Sequence, residues 1–182
     1  MSEFEVRLAG SGGQGVVLAA LLLAEAAVLA GKNATHAQAY GPQSRGGASK
    51  ADVIVSDGEI DFPFASRLDV LVALTPQALA AYAADVRPDG LLIVDGTAPV
   101  PATVRTLALP ITETARRELG GVLGANLIAL GALVAASAIV PADAIEGAIE
   151  RRPPGGSAVS ALRAFRAGMR LVPATGEVIA LS

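Results

Sequence analysis

The stretch that decides the fold is residues 3–31, EFEVRLAGSGGQGVVLAALLLAEAAVLAG. Apolar and polar side chains alternate over residues 3–9, as they do in a strand with one buried face. Residues 15–30 are apolar on every side, which predicts a buried helix that ends at Gly31. A strand, a glycine-rich turn and a buried helix in this order predict the opening unit of an α/β protein.

The rest of the chain continues this alternation. Short, solidly apolar runs are typical of parallel strands that are covered on both faces. Strands are predicted over residues 35–40, 48–56, 70–74, 91–94 and 178–181, and helices over residues 76–84, 112–119, 125–138, 142–150 and 157–170. We therefore predict an α/β fold in which a three-layer, Rossmann-like, mostly parallel sheet is flanked by helices, with a helical C-terminal part. We expect one domain over residues 1–182.

The composition argues against several classes of function. The 182 residues include no cysteine and one histidine, His36, so this chain by itself cannot ligate an iron–sulfur cluster through thiolates or complete a structural zinc site. We expect His36 to be a hydrogen-bonded structural residue. The net charge of −3 argues against a nucleic-acid partner. The acidic first residues do not resemble a secretory leader, which favours a cytoplasmic protein.

One uncharged run, residues 122–140, reaches the lower limit of a membrane-spanning helix. It is rich in alanine and glycine, and this composition favours close packing between helices at least as well as contact with lipid. We therefore expect no membrane partner.

The turn over residues 10–15, GSGGQG, matches the dinucleotide fingerprint G-x-G-x-x-G. Glycines let the backbone approach a ligand, and the following helix presents free N–H groups to an anion. However, residues 32–45 contain no acid that could bind the ribose of NAD. A turn that serves only strand–helix packing remains an alternative. We expect a Cβ atom at Gly12 or Gly15 to collide with backbone or ligand.

A second motif occupies residues 40–47, YGPQSRGG. Arg45 lies between Pro42 and a glycine pair, so a rigid loop could present its guanidinium group to a carboxylate or a phosphate. The alternative is a surface turn with a solvated arginine.

Together, the glycine turn with Gln14 and the Tyr-Gly-Pro-x-x-Arg-Gly-Gly loop resemble the gamma subunit of 2-oxoacid:ferredoxin oxidoreductases. This family acts on pyruvate, 2-oxoglutarate, branched-chain 2-oxoacids and indolepyruvate. Weaker similarity continues through residues 60–63, 69–74, 125–131 and 164–168, and so covers nearly the whole chain. One departure is that the family tends to have asparagine shortly before the Ala-Phe match, where this chain has Ser160 or Ala161.

The resemblance implies a subunit of a coenzyme A-acylating complex that contains thiamine diphosphate, Mg²⁺ and 4Fe–4S clusters. The expected partners are alpha, beta and ferredoxin-like delta subunits, with ferredoxin or NAD as electron acceptor. This chain would hold no cofactor and no catalytic residue by itself, and would be inert alone. Its expected role is to complete the assembly and to line the approach of coenzyme A or substrate. The residues expected to do so are Gly10, Gly12, Gly13, Gln14, Gly15, Tyr40, Arg45, Gly46 and Gly47.

A second hypothesis is that the chain is an autonomous nucleotide-binding module with a Rossmann-like fold. It would then use the glycine turn at residues 10–15 to bind its ligand.

Overall fold

The computed structural model describes residues 3–39, 48–96 and 104–173. Within these ranges the strands are β1 (Phe4–Gly10), β2 (Asn33–Ala39), β3 (Ser49–Ser56), β4 (Leu68–Ala73), β5 (Val86–Asp95) and β6 (Arg105–Leu109). The helices are α1 (Val16–Leu29), α2 (Pro76–Tyr82), α3 (Ile111–Leu119), α4 (Ala125–Ser137), α5 (Ala142–Arg151) and α6 (Ala158–Met169). Every predicted strand and helix within the described ranges is therefore present. The strand predicted over residues 178–181 lies outside them.

The strands form one sheet in the order β2-β3-β1-β4-β5-β6. Strands β1, β4, β5 and β6 pair in parallel, whereas β3 is antiparallel to both of its neighbours. The predicted mostly parallel sheet is confirmed. The position of β3 in the sheet was not predicted from the sequence. This strand lies between β1 and β2 and separates them. In a classical dinucleotide fold the first two strands are adjacent, and the second carries the acid that binds ribose.

Helices cover both faces of the sheet, which confirms the three layers. Helices α1, α3, α4, α5 and α6 share one hydrophobic core with Val6 and Leu8 of β1. Helix α2 packs with Ala9 and the opposite face of the sheet. The two cores alternate along β1 because successive side chains of a strand point to opposite faces.

Helices α4 and α6 are in direct backbone contact. A Cβ atom on Gly131 would lie 2.0 Å from the carbonyl oxygen of Phe165, and one on Gly168 would lie 1.9 Å from that of Ile128. The uncharged run at residues 122–140 thus contains a 13-residue helix that is buried beneath another helix. No described helix is long and apolar enough to cross a membrane.

Candidate functional site

The glycine turn lies at the carboxyl edge of the parallel strands, where β1 ends at Gly10. From β1 the chain continues through α1 to β2, which lies to one side of the β1–β4 pair in the sheet. From β4 it continues through α2 to β5, which lies to the other side of that pair. The gap between β1 and β4 is therefore the point at which the strand order reverses. In open α/β sheets, ligands bind in the crevice outside this point.

Side-chain and backbone bonds hold the turn in one shape. The backbone N–H of Ser11 donates to Oε1 of Gln14 at 2.6 Å. Gly13 and Gly15 have φ angles of 85° and 73°, in the left-handed region that favours glycine. Added as a side chain on Gly10, a Cβ atom would lie 2.4 Å from Oε1 of Gln14. The side chain of Gln14 therefore stabilises the turn and fills the space next to Gly10.

The steric expectation for Gly12 is wrong as far as the protein itself is concerned. A Cβ atom at Gly12 would meet no described atom within 4 Å. At Gly15 the obstacle is a side chain and not backbone, because a Cβ atom there would lie 2.6 Å from Nδ2 of Asn126. This contact and the left-handed φ angle account for Gly15 and leave Gly12 unexplained.

Asn126, near the start of α4, contacts the turn directly. Its Nδ2 donates a hydrogen bond to the carbonyl oxygen of Gly15 at 3.0 Å, and the residue is only 7% exposed. Sequence reasoning used Asn126 only as a weak point of resemblance. The available signal was a lone amide side chain in a long uncharged run, since a buried polar group needs a partner.

A cleft of about 680 Å³ opens beside the turn. The amino ends of α1, α4 and α6 border it, at Gly15, Gly124 and Ser157 respectively. Each end presents backbone N–H groups and the positive pole of a helix, so their shared cleft favours a negatively charged ligand.

Helix α3 supplies the basic side chain of this cleft, Arg116. Asp95, at the end of β5, fixes the start of α3 by accepting hydrogen bonds from the backbone N–H of Thr112, at 2.9 Å, and from its hydroxyl group. Arg116 is exposed and forms no ion pair with any carboxylate of the described ranges. Sequence reasoning missed this residue, because nothing in its local pattern distinguishes it from Arg117.

The second motif, residues 40–47, connects two strands of the sheet in the sequence. Tyr40, Arg45, Gly46 and Gly47 lie outside the described residues. The residues on either side of the motif are described: Ala39 pairs with Lys50, and Ser49 pairs with Gly10 of the glycine turn.

His36 lies on β2. The histidine is half-buried, and its Nε2 has no hydrogen-bond partner in the described part of the chain. Burial lowers the pKa of His36, and the charge of Asp52 opposes this shift only in part. The expectation of a hydrogen-bonded structural histidine therefore stays a prediction. His36 lines a separate groove with Arg151 and Arg152, away from the cleft.

The chain is similar to known proteins of one family. Residues 5–171 match the family described as pyruvate ferredoxin/flavodoxin oxidoreductase. The 2-oxoglutarate synthase subunit KorC of Methanothermobacter thermautotrophicus is 43% identical over 178 residues, which cover 92% of this chain and 94% of the relative.

The chain belongs to the pyruvate ferredoxin/flavodoxin oxidoreductase family. Its fold superposes on the gamma subunit of the keto/oxoacid ferredoxin oxidoreductase from Geobacter sulfurreducens with a TM-score of 0.81 and 40% identity, covering 92% of this chain and 96% of that one. The match spans almost the full length of both chains. The gamma-type subunit predicted from the two motifs is therefore confirmed, and a free-standing nucleotide-binding module is not favoured.

A third similarity shows the fold alone. The 2-oxoglutarate:ferredoxin oxidoreductase from Magnetococcus marinus, solved with 2-oxoglutarate, coenzyme A and succinyl-CoA bound, superposes with a TM-score of 0.82 at 20% identity. The similarity covers 94% of this chain but only 31% of the longer Magnetococcus chain.

Proposed function

We propose that this chain is the gamma-type subunit of a complex that oxidatively decarboxylates 2-oxoglutarate and transfers the resulting acyl group to coenzyme A. The choice of 2-oxoglutarate is supported by the subunits KorC, which are 40–44% identical to this chain. The similar subunits of ketoisovalerate and pyruvate/ketoisovalerate oxidoreductases are 32–38% identical. The reaction consumes the 2-oxoacid and coenzyme A, releases CO₂ and passes two electrons to ferredoxin or NAD.

The redox groups belong to the partner subunits in this proposal. The chain has no cysteine, so thiolate ligands for 4Fe–4S clusters must come from other chains, such as a ferredoxin-like delta subunit. Among the described residues, no group of three or more carboxylates or histidines could hold a metal ion. In the proposal, thiamine diphosphate and Mg²⁺ belong to the partner subunits. Alone, this chain would be catalytically inert.

The contribution of this chain is to hold an anionic part of coenzyme A in the cleft beside the glycine turn. The observation that carries this assignment is the convergence of the amino ends of α1, α4 and α6 with Arg116 on one cleft. Its volume of about 680 Å³ lies in the range of ligand sites. Fixed N–H groups and a guanidinium group together suit the phosphates of coenzyme A.

The second motif adds a further cation to the same proposal. Ser49, just after the segment that carries Arg45, pairs with Gly10, and Ala39, just before it, pairs with Lys50 of the same strand as Ser49. We assign Arg45, with Tyr40, Gly46 and Gly47, to the approach of the same ligand.

The test replaces Arg116 by alanine in the assembled complex. The loss of one charge-assisted hydrogen bond to phosphate should raise the KM for coenzyme A about tenfold. The KM for 2-oxoglutarate should stay at the wild-type value. Added salt should reduce the difference between variant and wild type, because it screens an exposed charge.

Arg117→Ala is the matched control, since Arg117 is an exposed neighbour on α3 that does not line the cleft. It should leave both KM values unchanged. Equal KM values for coenzyme A in the Arg116 and Arg117 variants would contradict the proposal.

A further inference from the structure

Asn126 makes a hydrogen bond that helix formation does not require. The carbonyl oxygen of Gly15 already accepts the first hydrogen bond of α1, from the backbone N–H of Ala19 at 3.1 Å. Nδ2 of Asn126 donates a second bond to the same oxygen, at 3.0 Å. These two partners lie 111 residues apart in the chain, and the bond joins the amino end of α1 to that of α4.

Helix α4 packs tightly against α6. The backbone contacts at Gly131 and Gly168 leave no space for even a methyl group between α4 and α6. A shift of α4 would therefore have to carry α6 with it, because closely packed backbones cannot slide past each other. Asn126 thus connects the glycine turn to a rigid pair of helices.

We propose that Asn126 is a positioning residue for the ligand of the cleft. Its amide keeps the amino end of α1 at a fixed separation from the amino ends of α4 and α6, so that all three can contact one anionic ligand together. This inference rests on the proposed function of the cleft. Loss of the Asn126 hydrogen bond should weaken ligand binding, since a displacement of about 1 Å in a positioning group can lower a rate or affinity a hundredfold.

The test uses Asn126→Ala and Asn126→Asp in the assembled complex. Alanine removes the bond, and the KM for coenzyme A should rise about tenfold while kcat at saturating coenzyme A and the KM for 2-oxoglutarate stay unchanged. Aspartate has the same shape but places an acceptor against the carbonyl oxygen of Gly15, so its effect should be at least as large. An acid in the first turn favours the helix, so the aspartate effect would not reflect unfolding of α4.

Asn33→Ala is the matched control. Asn33 also donates from Nδ2 to a backbone carbonyl oxygen, that of Gly58, at 2.9 Å. This bond is exposed and lies at the opposite, amino-terminal end of β2. The variant should match the wild type in both KM values.

A second measurement does not depend on the ligand. In the complex without coenzyme A, amide hydrogen exchange over residues 11–16 should be faster in Asn126→Ala than in the wild type and unchanged in Asn33→Ala. Unchanged exchange at the turn overturns the inference. So does a wild-type KM for coenzyme A in both Asn126 variants when Arg116→Ala raises it. If no variant, including Arg116→Ala, changes that KM, the proposed function itself fails.

Discussion

At the scale of single residues, β1 carries a buried guanidinium group that needs charged partners. Arg7 is 3% exposed, and its Nε and Nη2 donate to the carboxylate of Asp52 at 2.6 and 2.9 Å. Its Nη1 donates to Asp85 at 2.5 Å, and its plane lies over the ring of Tyr82. Burial acts to lower the pKa of Arg7, but the bonds and charges of Asp52 and Asp85 outweigh it and leave this pKa raised.

Asp52→Ala should therefore lower the free energy of unfolding by about 3 kcal/mol, since it leaves a buried charge with fewer partners. Chemical denaturation monitored by circular dichroism measures this loss. Glu146→Ala is the control, because Glu146 pairs with Arg166 on the surface, where solvent screens the charges. Its effect should be much smaller. Similar losses in the two variants would contradict the assignment of Arg7 to the interior.

At the scale of elements, the contact between α4 and α6 determines where the helical wall of the cleft stands. Gly131 and Gly168 bring the two backbones together, and Phe165 is fully buried beside them. Neither glycine has a left-handed φ angle. Their role is therefore close approach and not an unusual backbone conformation.

Gly168→Ala should separate α4 from α6 and cost about 2–3 kcal/mol of stability, because the added methyl group overpacks a rigid contact. The control is Gly147→Ala in α5, where the nearest atom to an added Cβ is Cδ1 of Leu29, at 3.9 Å. That variant should gain about 0.5–1 kcal/mol from the higher helix propensity of alanine. Thermal unfolding of both variants measures the difference in sign. A stabilised Gly168→Ala variant would show that the two helices are not in backbone contact.

At the scale of the whole molecule, apolar side chains stand exposed at and near the cleft. Val122 and Leu123 line the cleft and are 52% and 82% exposed, and Val159, which precedes the cleft residue Ser160 on α6, is 80% exposed. Grouped, exposed apolar side chains are typical of surfaces that a partner chain covers. We expect this surface to contact a partner subunit in the proposed complex, and the isolated chain to self-associate.

Val159→Asp should therefore reduce the amount of this subunit that co-purifies with its partners, because a buried unpaired carboxylate opposes association. Val28→Asp is the matched control: Val28 is 60% exposed on α1 and lines the separate groove that contains His36. Subunit stoichiometry by native mass spectrometry gives the readout. Full incorporation of the Val159 variant would place the interface elsewhere.

The sequence alone determined the elements and the family. Hydrophobic period distinguishes strands from helices because it records which side chains of one segment are buried. The glycine turn and the Arg45 motif carried the resemblance, and the family match confirms it. The sequence also indicated that Gly15 cannot be replaced, but the obstacle is the side chain of Asn126 and not backbone, and at Gly12, which was given the same constraint, the described residues leave open space.

Only the tertiary structure decided which distant segments meet. The insertion of β3 between β1 and β2 depends on pairing between strands, and the local period is the same for either order. Asn126 and Arg116 reach the cleft because α3 and α4 pack beside the end of β1, far from it in sequence. A hydrogen bond between residues 111 positions apart produces no periodic pattern in the sequence, since its strength depends on distance in space and not on spacing along the chain.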